Sequence, residues 1–155
     1  MSVHFSSDKM DWATPQAFFD ELDREFQFVL DAACYESNCL CPTGNMIDND
    51  IDGLVVDWHR AESVWLNPPY GREIGKWMKK AYQESQKGCT VVCLVPSRTD
   101  TKWWHDYAMN AAEIRLVKGR LKFGGAASAA PFPSAVVIFK AGSVGTLVTA
   151  MEATK

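Results

Sequence analysis

Residues 89–95 read CTVVCLV, an almost unbroken apolar run between Gly88 and Pro96. The run is too short for a packed helix, and it lacks the apolar-polar alternation of a strand with one wet face. Valines dominate it and helix breakers bound it, so the spacing predicts a strand buried on both faces. Such a strand needs covering elements on either side, and that requirement selects an α/β sandwich with a mostly parallel sheet.

The rest of the chain supplies those elements. Thr14-Pro15 places a hydroxyl at an N-cap and a proline at N1. Phe18, Leu22 and Phe26 then recur every four residues, the stripe of a helix laid on a core. Phe28–Leu30 reads as a short strand ending at Asp31, and Val64–Leu66 as the next. Ile74, Trp77, Met78, Ala81 and Tyr82 have helical spacing, with Lys76, Lys79, Lys80 and Lys87 between or beyond them, and Gly88 stops that helix. Residues 100–109 form a further predicted helix. Residues 114–117, 121–123 and 135–139 are strand-like, and a short helix is expected near Leu147–Met151. Residues 34–57 carry turn formers and a run of aspartates. At 155 residues the chain suits one compact domain, spanning 1–155, with no separate target-recognition domain. Residues 1–10 are expected to be flexible, and 124–132, rich in Gly, Ala and Ser, to form a mobile loop.

Ligands of such sheets bind beyond the carboxyl ends of the strands. Asp31, Asn67 and Ser97 each follow a predicted strand, so they are expected at one edge. The segment WLNPPYG at 65–71 is the most pointed feature there. A residue before proline is pushed to extended backbone and proline fixes its own φ, so Asn67-Pro68-Pro69 is a stiff segment with no proline N–H to occupy its acceptors. The Asn67 side-chain oxygen and the Pro68 carbonyl are two rigid acceptors, and Tyr70 adds a flat ring. That set suits an exocyclic amino group on a planar base. The amino nitrogen of adenine is a poor nucleophile because its lone pair is delocalised into the ring. Hydrogen bonds accepted from both its N–H groups favour a localised lone pair that can attack a sulfonium methyl in line, by positioning and electrostatics alone. Within a duplex the base must first be flipped out, here to stack on Tyr70.

Charge bears on the partner. The net charge is −3, but residues 1–62 hold 13 acidic and 3 basic groups, while 63–155 hold 6 acidic and 13 basic. The asymmetry fits a polyanion on one face, and equally two halves that neutralise each other. The start of the chain has no secretory pattern and no stretch is long and apolar enough to span a bilayer, so no membrane partner is expected and a cytoplasmic location is. The five cysteines are then expected as reduced thiols. Cys34, Cys39 and Cys41 are spaced C-x4-C-x-C, which is poor for zinc, and no metal is expected even with His59 as a further ligand.

The segments WATPQAFFDELDREFQFVLDAAC, DGLVVDW, VWLNPPYG, VPSRTDTKWWHD, GRLKFGG and APFPSAVVIF, within about residues 11–140, together resemble the phage-type DNA adenine-N6 methyltransferases. The resemblance implies a Rossmann-like methyltransferase fold, S-adenosylmethionine as donor, adenine in DNA as acceptor, and action inside a bacterial host cell. It implies Asn67, Pro68, Pro69 and Tyr70 as the catalytic motif, Thr14 and Pro15 beside the donor's methionine part, Asp31 in the first cofactor loop, and Asp57-Trp58 around the donor's adenine. Asp50 is a further candidate for the donor ribose and Asn38 for the donor pocket. The first loop reads LDAAC, without the glycines common in methyltransferases, and the region from Asp31 to Val64 is short for the usual strand–helix pairs. Arg98, Lys102, Arg120 and Lys122 are expected on DNA phosphates, with little sequence choice of their own. Trp104 and His105 are expected near the base or in helix packing. The same acceptor set would also serve RNA or a protein glutamine amide, and a non-catalytic nucleic-acid-binding module is the reading outside enzymes.

Overall fold

A computed structural model describes residues 13–125 and 129–153. The expectation for residues 1–10 lies outside the described residues, as do residues 126–128 of the expected loop. Seven strands form one sheet: β1 Leu30–Cys34, β2 Thr43–Met46, β3 Ser63–Leu66, β4 Thr90–Pro96, β5 Glu113–Lys118, β6 Ser134–Phe139 and β7 Leu147–Glu152, in the order β2-β1-β3-β4-β6-β5-β7. Pairings β1–β2, β1–β3, β3–β4 and β5–β7 are parallel; β6 runs antiparallel to both neighbours, β4 and β5. Six strands therefore share a direction and β6 opposes them, so the sheet is mixed and mostly parallel, as expected.

The apolar run behaves as its composition requires. Val91–Val95 of β4 is fully buried, and so is β6 throughout, because these strands lie at the sheet's centre. Burying each such side chain contributes roughly 1.5–3 kcal/mol. Helix α1, Gln16–Phe26, buries Phe18, Phe19 and Leu22, and α2, Ile74–Ser85, buries Ile74, Trp77, Met78 and Ala81. Phe19 and Phe28 pack against Trp65 of β3 at ring distances of 5.3 and 5.5 Å. Beyond α2, Gly88 takes φ +120°, open to glycine and strained for any other residue. Helix α3 is short, Lys102–Asp106, and a 3-10 turn at Ala108–Asn110 continues its path.

Residues 121–123, expected as strand, lead instead into a 3-10 turn at Phe123–Gly125, and α1 has Pro15 rather than Thr14 at its N-cap. Three further segments depart from expectation. Strand β1 runs on through Asp31 to Cys34, where Asp-Ala-Ala has little intrinsic strand preference, because β2 and β3 pair with it on both sides. Asp31 thus lies within a strand, opposite Trp65. Thr43–Met46, a turn by composition, pairs with β1 at the sheet's edge. Leu147–Glu152 is a strand rather than a helix: six consecutive residues pair with β5, and that ladder overrides the helix preference of Leu, Ala, Met and Glu.

Candidate active site

Asn67 follows the last residue of β3, and Ser97 follows β4. Registers Leu66↔Cys93 and Pro96↔Ser134 put both at the carboxyl edge of the parallel strands. The Asn67 amide is held from a distant part of the chain: its Nδ2 donates to Thr14 Oγ1 at 2.9 Å. This bond anchors the planar amide to the start of α1. The nitrogen is turned to Thr14, and the carbonyl oxygen lies on the other branch. One residue earlier, the Ala13 carbonyl accepts from Gly124 N at 2.8 Å. Residues 13–14 therefore tie the Asn-Pro-Pro-Tyr segment to the chain that leaves β5.

Tyr70 closes the arrangement from below. Its hydroxyl donates to the Leu94 carbonyl of β4 at 3.0 Å, and its ring meets Phe123 and Phe132 edge-on at 6.2 and 5.7 Å. Burial pushes the phenol well above its ordinary pKa, so it stays a neutral donor. The ring is only 5% exposed, so it presents no open stacking face in this state; Phe123 and Phe132 cover it. Pro68 is buried and Pro69 half-buried. Both flanks of the expected loop are anchored: Ala130 N donates to Leu121 O at 2.8 Å, and Arg120 Nη1 to Ala130 O at 3.2 Å.

Other predicted residues divide by position. Asn38 lies in the 3-10 turn after β1, where its Oδ1 accepts from Tyr35 N at 2.8 Å. Asp50 follows the 3-10 turn after β2, exposed and with φ +59°. The two turns pack together beyond the carboxyl ends of β1 and β2. Arg98 and Lys122 are exposed at the same edge, as is Arg120. Lys102 pairs with Asp106, and His105 Nε2 donates to the Thr99 carbonyl at 2.8 Å.

Two placements correct the sequence reading, that of Asp31 and that of the pair Asp57-Trp58. Asp31 is buried: its carboxylate accepts from Leu40 N at 3.1 Å and Ala33 N at 3.4 Å, and burial pushes its pKa up to about 7 against those two bonds. It organises the β1–β2 connection from inside the sheet. Trp58 is fully buried, stacked 6.3 Å from Trp77 with its indole N–H donating to Gly53 O, so neither face is open to a ligand. The backbone N–H groups of Trp58 and His59 are held by Glu84 at the end of α2, next to the start of β4. Asp57 and Trp58 are consequently at the amino edge of β3 and β4, away from Asn67. Trp104 is buried beside Trp103 in helix packing, one of its two expected places.

The cysteine expectation also changes. Cys34 ends β1, and the single 3-10 turn that follows brings Cys39 back to a Cα separation of 5.1 Å, where the two form a disulfide. Cys41, Cys89 and Cys93 remain thiols, and burial holds each above its ordinary pKa. Among the described residues, Asp57, His59 and Glu84 bring potential metal ligands within 4.8 Å of one another. Glu84 already receives the Lys80 and Lys87 ammonium groups at 3.2 and 3.0 Å, and these repel a cation.

Two buried polar atoms at the carboxyl edge escaped the sequence reading. Asn45 Nδ2, one residue before the end of β2, and Ser134 Oγ, at the start of β6, have no hydrogen-bond partner among the described residues. Their isolation is visible only in three dimensions, because TGNM reads as a turn and Ser134 as the end of a loop.

Fold and site together define an α/β protein that holds a rigid Asn-Pro-Pro-Tyr segment at the carboxyl edge of its parallel strands, its amide locked from the chain's N-terminal part. The chain belongs to the DNA N-6-adenine-methyltransferase (Dam) family, whose model matches residues 2–148. It is 31% identical over 111 residues to a DNA N-6-adenine-methyltransferase of Escherichia phage T1, an alignment covering 71% of this chain and 45% of that protein. It is 33% identical over 120 residues to a DNA N-6-adenine-methyltransferase of Haemophilus phage HP1 (strain HP1c1), covering 76% of this chain and 68% of that one. The match to the T1 protein thus spans less than half of that relative's length.

Proposed function

We propose that this protein transfers a methyl group from S-adenosylmethionine to the N6 amino group of adenine in DNA. The observation that carries the reading is the Thr14–Asn67 bond, which orients a catalytic-motif amide at the ligand-binding edge of a chain of the Dam family. The strand order β2-β1-β3-β4-β6-β5, with β6 reversed, supports a Rossmann-like methyltransferase sandwich.

The donor's place is tested by the buried donor Asn45 Nδ2: a polar ligand lying across the ends of β1 and β2 would satisfy it. Thr14, Pro15, Asn38, Asn45 and Asp50 are the residues that would hold S-adenosylmethionine there. When bound, it supplies an electrophilic methyl group. The protein's own contribution is positional. Asn67 Oδ1 and the Pro68 carbonyl accept the two N–H hydrogens of the target amine, which localises its lone pair toward the donor. Thr14 anchors the amide beside the base. Access to Tyr70 requires Phe123 and Phe132 to yield the ring edges they cover, and the flipped base replaces their contact.

The test is methyl transfer to unmethylated DNA, followed by digestion to nucleosides and mass spectrometry, with Asn67→Ala alongside. The expected result is N6-methyldeoxyadenosine from the unmutated protein and a loss of at least about a hundredfold in the variant. Methylation of RNA or a protein amide with DNA untouched would replace the acceptor and overturn the reading.

A further inference from the structure

We propose that the groove between α2 and α3 is a second DNA contact, which takes the phosphodiester backbone beside the flipped base. This rests on the DNA reading above and joins Lys102, already expected on a DNA phosphate, to a wall of α2 that the reading does not use. The groove has a volume of about 390 Å³, and its wall carries Arg72, Lys76 and Lys79 from α2 and its lead-in, with Lys102, Trp103 and Tyr107 from α3 and the turn beyond it.

Three observations identify the occupant. The first is charge: four cations line the groove against one carboxylate, Asp106, which is already paired with Lys102. Lys76 has Glu73 on the rim at 3.2 Å, whereas Arg72 and Lys79 have no ion-pair partner among the described residues and are exposed. Such an excess on one wall suits a polyanion. The second is place. Helix α2 leaves β3 through Asn67–Tyr70, and α3 leaves β4 through Ser97, so both helices start at the edge that carries the candidate active site. Arg72 stands two residues after Tyr70. The third is shape. From Arg72 to Lys79 the chain advances about 10 Å along a helical path. That matches about three phosphates of one strand at 3.4 Å rise each. Trp103 and Tyr107 give the floor an apolar surface for deoxyribose, which a free inorganic anion would not use.

The test is fluorescence anisotropy of a labelled adenine-containing duplex, titrated with protein over a range of salt concentrations. Proteins compared are the unmutated chain, Lys79→Gln, the triple variant Arg72→Gln/Lys76→Gln/Lys79→Gln, and Lys140→Gln. Lys140 is exposed just after β6, whose reversed direction puts it at the opposite edge of the sheet. The salt slope of log K should fall in magnitude by about 0.9 for each phosphate contact removed, so by roughly 2–3 in the triple variant. Lys140→Gln should keep the full slope. An unchanged slope in the triple variant, with the unmutated protein binding and methylating DNA, overturns the groove alone. The groove is likewise overturned if Lys140→Gln loses as much as Lys79→Gln, since bulk charge would then explain both. An unmutated protein that neither binds nor methylates DNA takes down the groove and the DNA reading together.

Discussion

At the scale of single residues, the site depends on which way one amide faces. Asn67 has an oxygen and a nitrogen on the same planar group, and only the oxygen can accept from an amine. The Thr14 hydroxyl, 53 positions away in sequence, accepts from the nitrogen and so holds the amide in place. Thr14→Val keeps the shape and removes the acceptor, so the amide loses its anchor. A neutral hydrogen bond of this kind contributes about 1 kcal/mol, and the methyl-transfer step should slow about five- to tenfold. Thr14→Ser should restore it. Single-turnover kinetics at saturating donor reads the step directly; a Ser variant as slow as the Val variant would show that the methyl group, not the hydroxyl, matters. The place of Asn-Pro-Pro-Tyr directly after β3 was legible in the sequence because strand patterning and proline restrictions are local. The Thr14–Asn67 partnership was not legible in the sequence, since no local rule links residues so far apart.

At the scale of elements, Glu84 joins α2 to the connection that leads into β3. Its carboxylate accepts from the Trp58 and His59 N–H groups at 2.7 and 2.9 Å and from two lysines. Burial alone would raise its pKa; the Trp58 N–H, Lys87, His59 and Lys80 outweigh it and bring the group down to about 2. The folded pKa lies below the ordinary 4.5, so this stabilisation is complete above pH 4.5 and is lost as pH falls toward 2. Its size is on the order of 3 kcal/mol. Glu84→Gln should therefore lower stability most near neutrality, with the gap to the unmutated protein closing as pH drops below 4.5. Urea unfolding at a series of pH values measures the gap, and a gap independent of pH would contradict this account. Gly53 explains why the same connection lies so close to the sheet: a Cβ there would stand 2.4 Å from the Ala32 carbonyl and 2.9 Å from the Trp77 ring. Sequence patterning located α1, α2, β3, β4 and β6, whose apolar periodicity is strong. It misjudged β2, β7 and the extent of β1, whose Ala, Gly, Thr and Met positions are strand only because a neighbouring ladder holds them, and it read a strand at 121–123 where a 3-10 turn begins.

At the scale of the whole molecule, one hydrophobic cluster runs from Phe18 to Ala153, so ligand binding at the carboxyl edge should stabilise the entire fold. S-adenosylmethionine at a hundred times its Kd adds about 2.7 kcal/mol. For a chain of this size the melting temperature should rise by roughly 5–10 °C. Adenosine at the same concentration should do less, because it lacks the methionine part that Thr14 and Pro15 would meet. Differential scanning calorimetry decides this, and no shift with the sulfonium donor would remove it from the proposal. By itself the sequence determined the fold class, the central strands and the stiffness of the Asn-Pro-Pro-Tyr segment, since buried runs, helical stripes and proline restrictions act over a few neighbouring residues. The tertiary structure decided the rest. It buried Asp31 and Trp58, sent Asp57 to the far edge, covered Tyr70 with two phenylalanines, and opened a basic groove between two helices. Burial and proximity are properties of packed surfaces from distant segments, and no spacing within a single segment records them.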